Sequence, residues 1–263
     1  MITLSTLDLS IAASLVVALA LLASQVQRSL GVQLAVAAVR TTVQLSLIGL
    51  VLKALFAHVH VGWVSLMALV MLLAAGREVW ARQRRRLAGA WGYGVGTVSM
   101  FLSSFTVTVF ALVAVVGTDP WYEPQYAIPL LGMLLGNTMN GIAIAQDRLN
   151  EGAWRRRGEI EARLVLGHTA HEAIGDLRRE SVRAGLIPII NGMAAAGLVS
   201  LPGMMTGQIL SGSPPDEAVK YQILIMFLIA VGTGLGTLAA VSATTRRLFD
   251  ERQRLRLDRL APV

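Results

Sequence analysis

Apolar runs of about 20 residues recur along this chain, and they dictate its solvent before anything else is read. A helix needs roughly 20 apolar residues to cross a ~30 Å hydrocarbon core. In lipid only a helix or a closed barrel satisfies its own backbone. Seven runs stand out: Leu9–Gln25, Ala37–Phe56, Val61–Val79, Trp91–Val116, Tyr126–Gln146, a long and broken Ala184–Leu210, and Tyr221–Thr244. Only 15% of the 263 residues are charged, against about a quarter in a soluble domain. The expected fold is all-α: a polytopic membrane protein of about seven transmembrane helices, forming one transmembrane domain over residues 1–263. No small-residue cleavage site follows a basic leader, so the first run reads as a retained span and not a signal peptide.

Basic residues orient the spans, because cytoplasmic flanks are enriched in Lys and Arg. Of the 23 Lys and Arg residues, all but Lys53 and Lys220 fall on one side of the seven-span alternation. They flank spans one and two (Arg28, Arg40), follow span three, crowd the stretch between spans five and six, and fill the tail. The opposite loops are short and acidic, with Asp119 and Glu123 in one and Asp216 and Glu217 in another. This alternation predicts an external N-terminus and a cytoplasmic C-terminus. The net charge of +7 belongs to these flanks, so nucleic acid is not an expected partner; the lipid bilayer is.

Several chemistries are excluded. With no Cys, disulfides and thiolate metal sites are ruled out. The phosphate-binding pattern G-x-x-x-x-G-K-[ST] needs a Lys after its glycines, and neither Lys53 nor Lys220 has them. Spans two to seven carry no Asp or Glu near mid-membrane, since Glu78 lies at the cytoplasmic edge; a proton-coupled transporter relies on such a carboxylate. A retinal protein would need a Lys inside span seven, and Lys220 stands at its outer edge. Gly232-Thr-Gly-Leu-Gly236 lies inside a span and reads as close helix packing. His58 and His60, with no carboxylate or Cys beside them, make a poor metal site, and no metal ligand set is assigned.

A charged insert at about 147–183 interrupts the apolar pattern. Ile160, Leu164, Ile174 and Leu177 fall at helical spacing, and Glu159 with Arg163 forms an i,i+4 pair. The spacing predicts an amphipathic helix that breaks once. Gly167 stands where a left-handed C′ residue belongs. Thr169-Ala-His-Glu172 fits a capping box, with Thr169 as N-cap and Glu172 at N3. The expectation is a compact elbow on the cytoplasmic side, either a solvated linker or a joint to another protein.

Spans five and six hold the polar intramembrane residues. Met133, Asn137 and Asn140 share one face of span five, and Gly132 and Gly136 form a G-x-x-x-G patch suited to close helix approach. Span six carries Pro188 and Asn191, then Pro202, Gly203, Met204 and Met205. A helix broken at membrane depth is tolerated only where protein or a cavity satisfies the freed backbone. Two readings stay open: a translocation path lined by Met133, Asn137, Asn140, Asn191, Pro202, Met204 and Met205, or amides that join helices and methionines that fill space. Arg40 and Gln44, one turn apart near the cytoplasmic end of span two, are read as structural anchors.

Glu161-Ala-Arg-Leu-Val-Leu-Gly167 resembles the E-A-A-x-x-x-G loop of ABC-transporter permeases, with Arg163 at the second Ala and without the proline spacing that follows that glycine. VRTTVQLSLIGLVLKALF (39–56), IPLLGMLLGNTMNGIAI (128–144), SVRAGLIP (181–188), SLPGMMTG (200–207) and AVKYQILIMF (218–227), taken in order, resemble the FetB-type family of ABC-transporter permeases. Those bacterial membrane subunits are implicated in iron export, and plant relatives are linked to aluminium tolerance. The resemblance runs from span two to span seven. It implies a multi-pass protein of the bacterial cytoplasmic (inner) membrane, a homodimer of this chain, and two copies of a separately encoded ABC ATPase subunit. ATP and Mg would be bound by that subunit; this chain would bind no cofactor and catalyse nothing. LGHT (166–169) takes the place of the family's L-G-A-T elbow, with His168 replacing Ala. Glu161, Leu166, Gly167, His168, Thr169 and Glu172 would then be the ATPase-coupling elbow. The function implied is the permease of an ATP-driven exporter, with iron as the leading cargo. The alternatives are a secondary transporter and a regulatory membrane subunit that moves nothing.

Overall fold

The computed structural model describes residues 5–262, and they form two compact units, 5–60 and 61–262. The first is a helical hairpin. α1 (Thr6–Val26) starts at a capping box in which Ser5 accepts from the Asp8 amide and Asp8 accepts from the Ser5 amide. Extended Gln27 then separates α1 from α2 (Arg28–Ala57). Gly31 lies against Ala20 and Ser24, so close that a Cβ there would fall 2.5 Å from the Ala20 carbonyl oxygen. The second span was expected to begin at Ala37; the helix begins at Arg28 because nothing between those positions breaks it. Arg40 therefore lies three turns inside α2 and not at its mouth, with Gln44 one turn further on; both are exposed within this unit.

The second unit contains α3 (Val61–Ala81), strand β1 (Arg85–Leu87), α4 (Ala90–Val116), α5 (Pro124–Arg155), α6 (Arg157–Val165), α7 (Ala170–Ala173), α8 (Gly175–Ala195), α9 (Gly203–Leu210), α10 (Pro215–Leu248) and strand β2 (Leu260–Pro262). α5 is the hub and packs against α3, α8 and α10. Lipid tails are as apolar as leucine, so close packing, not water exclusion, joins helices here. Small residues permit it. A Cβ at Gly185 of α8 would fall 2.6 Å from the Gly141 carbonyl oxygen of α5. Gly232 and Gly236 of α10 face Leu134 and Thr138 of α5, as the glycine spacing predicted, while Gly234 meets nothing within 4 Å. Gly136 also meets nothing within 4 Å, and Gly132 meets only Met71 at 3.2 Å. The expected G-x-x-x-G contact on that face is absent within this unit because the packed glycines of α5 are Gly141 and Gly152, on the opposite side.

Residue order along the contacts gives the topology. Leu134 neighbours Gly232, Thr138 neighbours Gly236, and Gln146 bonds Thr244; the numbers rise together, so α5 and α10 are parallel. Gly152 neighbours Leu177 and Gly141 neighbours Gly185, so α8 runs antiparallel to α5. Residues 156–214 must therefore bring the chain back from the end of α5 to the start of α10. Among the described residues, six continuous helices are long and apolar enough to cross a membrane: α1, α2, α3, α4, α5 and α10. The sequence counted seven. The difference is the broken sixth, where α8 begins among charged residues and stops at Ala195, and α9 resumes only at Gly203.

Two further departures concern the insert and the tail. α5 continues to Arg155, well beyond the expected end at Gln146, because Leu149, Asn150 and Ala153 are buried against the rest of the unit. The insert consequently breaks three times, at Arg156, at Leu166–Thr169 and at Ile174. β1 and β2 pair antiparallel, Leu87 opposite Leu260, a small sheet that the all-α expectation did not include.

Candidate functional site: a braced elbow and a polar helix face

The end of the second unit that carries β1, the insert and the tail is held by buried amides and surface ion pairs. Gln83 donates to Gln146 Oε1 at 2.9 Å, Gln146 donates to the Thr244 hydroxyl at 3.2 Å, and Asn150 donates to Gln83 Oε1 at 3.1 Å. All four are buried. A buried polar group without a partner is costly, so this chain fixes α3, α5 and α10 to one another. The Trp154 ring is approached by two guanidiniums, Arg85 at 4.1 Å and Arg157 at 5.3 Å from the ring centre.

The elbow hangs from this base. α6 ends in a paired C-cap: the Gly167 amide donates to the Leu164 carbonyl (3.0 Å) and the His168 amide to the Arg163 carbonyl (3.1 Å). This is the Schellman arrangement. Gly167 has φ +92°, a conformation that a side chain rarely tolerates. Thr169 then caps α7, accepting from the Glu172 amide at 3.3 Å, while Glu172 accepts from the Thr169 amide at 2.8 Å. Both local expectations, the glycine stop and the capping box, are met. Arg163 spans the bend, bonding Glu159 at 2.7 Å and Asp176 at 2.9 Å. Gln253 of the tail accepts from the Ala170 amide at 2.7 Å. Ile160, Ile174 and Leu177 are buried beneath, with Leu164 packed against them.

Electrostatics support the same bend. The Arg163 guanidinium holds the Asp176 carboxyl below the usual carboxylate range. The Thr169 backbone and hydroxyl do so for Glu172, and Arg156 does so for Glu180. From this charged surface two aliphatic side chains project: Val165 is 87% exposed and Leu166 79%. Glu161 and His168 are also exposed beside them. The helix tip thus presents two bare aliphatic side chains above an ion-paired base.

The intramembrane residues stand differently from a closed pore. Asn137 and Asn140 lie on the exposed face of α5, with Met133 half-buried beside them, while Leu134, Thr138 and Ile142 of the opposite face are buried. Asn137 donates to the Met133 carbonyl at 2.8 Å, and Asn140 accepts from Arg82 at 2.6 Å. Asn191 and Met204 are exposed; Met205 is half-buried. Pro202 is the N-cap of α9, and Gly197 (φ +83°) closes a tight turn by donating to Ser200 at 2.9 Å. Among the described residues no hydrogen bond joins one of these path residues to another helix's path residue, and no group of three or more His, Asp or Glu is arranged to hold a metal. Sequence reasoning did not single out Gln83, Gln146, Asn150, Thr244, Val165 or Gln253. The first four are separated by roughly 60 to 100 residues in pairs, and only the exposed Val165 carries a local signal.

Comparison with known proteins agrees with the resemblance read from the motifs. Residues 6–249 match the family described as "Uncharacterised protein family (UPF0014)". A UPF0014 membrane protein of Synechocystis sp. is 41% identical over 216 residues, 82% of this chain and 83% of the relative. The "Probable iron export permease protein FetB" of Escherichia coli is 34% identical over 221 residues, 82% and 81% of the two chains. "Protein ALUMINUM SENSITIVE 3" of Arabidopsis thaliana is 32% identical over 234 residues, 89% and 82%. No solved structure matches the chain.

Proposed function

The chain belongs to the UPF0014 family of membrane proteins, and from that premise we propose that it is the permease subunit of an ATP-driven exporter. The observation that carries this reading is the exposed Val165–Leu166 pair on the braced elbow. The occupant proposed for that pair is a groove on a separately encoded ABC ATPase subunit, two copies serving a homodimer of this chain. The N-terminus would be external and the C-terminus cytoplasmic, with α8, the Gly197 turn and α9 making the seventh crossing in a bacterial inner membrane.

Mechanism follows from stiffness. ATP and Mg belong to the partner, whose closure pushes on the elbow. A loose linker would absorb the displacement. The paired cap at Gly167, the Arg163 ion pairs and the Arg156–Glu180 fork instead pass it to α5 and α8, and the Gln83–Gln146–Thr244 chain passes it to α3 and α10. The polar face of α5 is satisfied in lipid only where protein or water covers it. A second copy laid on that face would line a path with Met133, Asn137 and Asn140, joined by Asn191, Met204 and Met205 beside Pro202. Neutral amides and thioethers make weak, transient contacts, which suits passage better than storage. Iron as cargo rests on the name of the Escherichia coli relative.

Reconstitution tests the reading. The chain with its partner ATPase in liposomes should hydrolyse ATP faster than the ATPase alone and should move iron against its gradient only with ATP. Val165→Asp with Leu166→Asp should abolish both effects and partner binding while membrane insertion persists. Uphill transport by the chain alone, or undiminished partner binding by the double variant, would overturn the proposal. A rise in some other cellular metal, with iron unchanged, when the gene is deleted would replace the cargo.

A further inference from the structure

α3, α4 and α5 enclose an apolar cavity of about 280 Å³ at the end of the second unit away from the elbow. We infer that it is a binding site for one acyl chain of a membrane phospholipid. Its walls include Val64, Ala68 and Leu72 of α3, Phe105 and Leu112 of α4, and Leu131 of α5. Among the described residues, none that is charged lines it. The Thr108 hydroxyl on its wall is already committed to the Ser104 carbonyl at 2.7 Å. The Ser65 hydroxyl and the polar edges of Trp121 and Tyr122 are its remaining polar groups, too few to replace the hydration of an ion or a polar metabolite. The cavity is nearly twice the ~150 Å³ engineered cavity that stays dry and admits benzene.

The fold opens this space rather than merely failing to fill it. α4 adopts π-helical geometry at Phe101–Phe105 and again at Ala111–Val116, and such departures widen a helix locally and cluster at functional sites. Both stretches line the cavity, and Ala68 and Ala127 face them with small side chains. Its length also fits. Val61 and Leu72 both line it, eleven residues apart, or about 16 Å along α3. That is close to half of a ~30 Å hydrocarbon core, the depth of one leaflet. Trp121 and Tyr122 stand at the rim, their rings edge to face at 5.7 Å, and such amphipathic rings settle at headgroup depth. Leu69, Phe101 and Val109 belong to the lining yet are exposed, so the cavity opens sideways, where the surrounding solvent is acyl chain.

The test uses the purified full-length protein and defined phospholipids, palmitoyl-oleoyl phosphatidylethanolamine and phosphatidylglycerol, read by native mass spectrometry. The wild type should retain one phospholipid per chain through detergent exchange, with either headgroup. Ala68→Phe and Ala127→Phe, which drive a ring into the space, should reduce retention about tenfold and, in lipid-free detergent, melt no lower than wild type. Retention unchanged in both variants, or retention that follows headgroup charge, would overturn the site. If both variants fail to fold, phospholipid spin-labelled on its acyl chain and added to wild type decides: an immobilised population near one per chain supports the site, and its absence overturns it. The chain has no Cys, so Leu69→Cys gives a unique probe. Efficient disulfide formation between two copies in membranes would show that a second chain covers the cavity, which also overturns the proposal.

Discussion

The Arg156 guanidinium grips the Glu180 carboxylate with both prongs, Nη1 to Oε1 and Nη2 to Oε2, each at 2.9 Å. It joins the first break after α5 to the second turn of α8, across the base of the elbow. Arg148 adds a second cation at 3.2 Å.

Both partners are more than a third exposed, so the fork should matter for transmission more than for stability. Glu180→Gln is expected to lower the melting temperature by less than about 4 °C and to cut partner-stimulated ATP hydrolysis severalfold. A large thermal loss with full stimulation would reverse that assignment.

Glycine positions on helices α8 and α10 should separate sharply. Gly185→Ala forces a methyl against the Gly141 carbonyl and should destabilise by about 1–3 kcal/mol, the cost of overpacking. Gly234→Ala meets open space and should be neutral or stabilising by about 0.5–1 kcal/mol, because alanine favours a helix interior. Thermal melting in one detergent ranks the two; equal effects would contradict the described helix contacts.

At the bend itself, Thr169→Ala removes an N-cap and should cost about 1 kcal/mol, seen as faster amide exchange over residues 169–175. Gly167→Val requires a β-branched residue at φ +92°. It should unlock the bend and abolish stimulation of the partner, with insertion unchanged. Survival of stimulated hydrolysis in Gly167→Val would remove the elbow from the mechanism.

Acid should loosen the elbow in a defined window. Asp176, Glu172 and Glu180 have lowered proton affinity in the folded chain because of Arg163, Thr169 and Arg156 respectively. Their contribution is fully present above the unfolded carboxylate range, near 4, and is lost as pH falls through the lower folded values. Amide protection of residues 163–180 should thus be flat from pH 6 to 8 and decline below about 4. A decline that begins between pH 5 and 7 would implicate other groups.

Legibility in the sequence followed the range of each interaction. Gly167, Thr169 and Glu172 could be read because a cap is written within a few residues. Gly232 and Gly236 could be read because helical period alone puts them on one face. Gln83, Gln146 and Asn150 could not: each looks like a polar residue leaving the membrane, and only Thr244, brought in from the far end of the chain, shows that they are core. The same burial carries α5 past Gln146. Asn137 and Asn140 were correctly put on one face, yet the face points away from the unit's own core, and Asn137 meets its need through the Met133 carbonyl of its own helix.

The parallel course of α5 and α10 has a consequence for biogenesis. Two neighbours that run the same way cannot arise as a simple hairpin, and Gln146 and Thr244 are 98 residues apart. During synthesis α5 enters the bilayer long before its long companion emerges from the ribosome. Until then Thr138, Gly141 and Gln146 lack a wall on that side, so the nascent subunit passes through an open-sided intermediate that its last helix must seal.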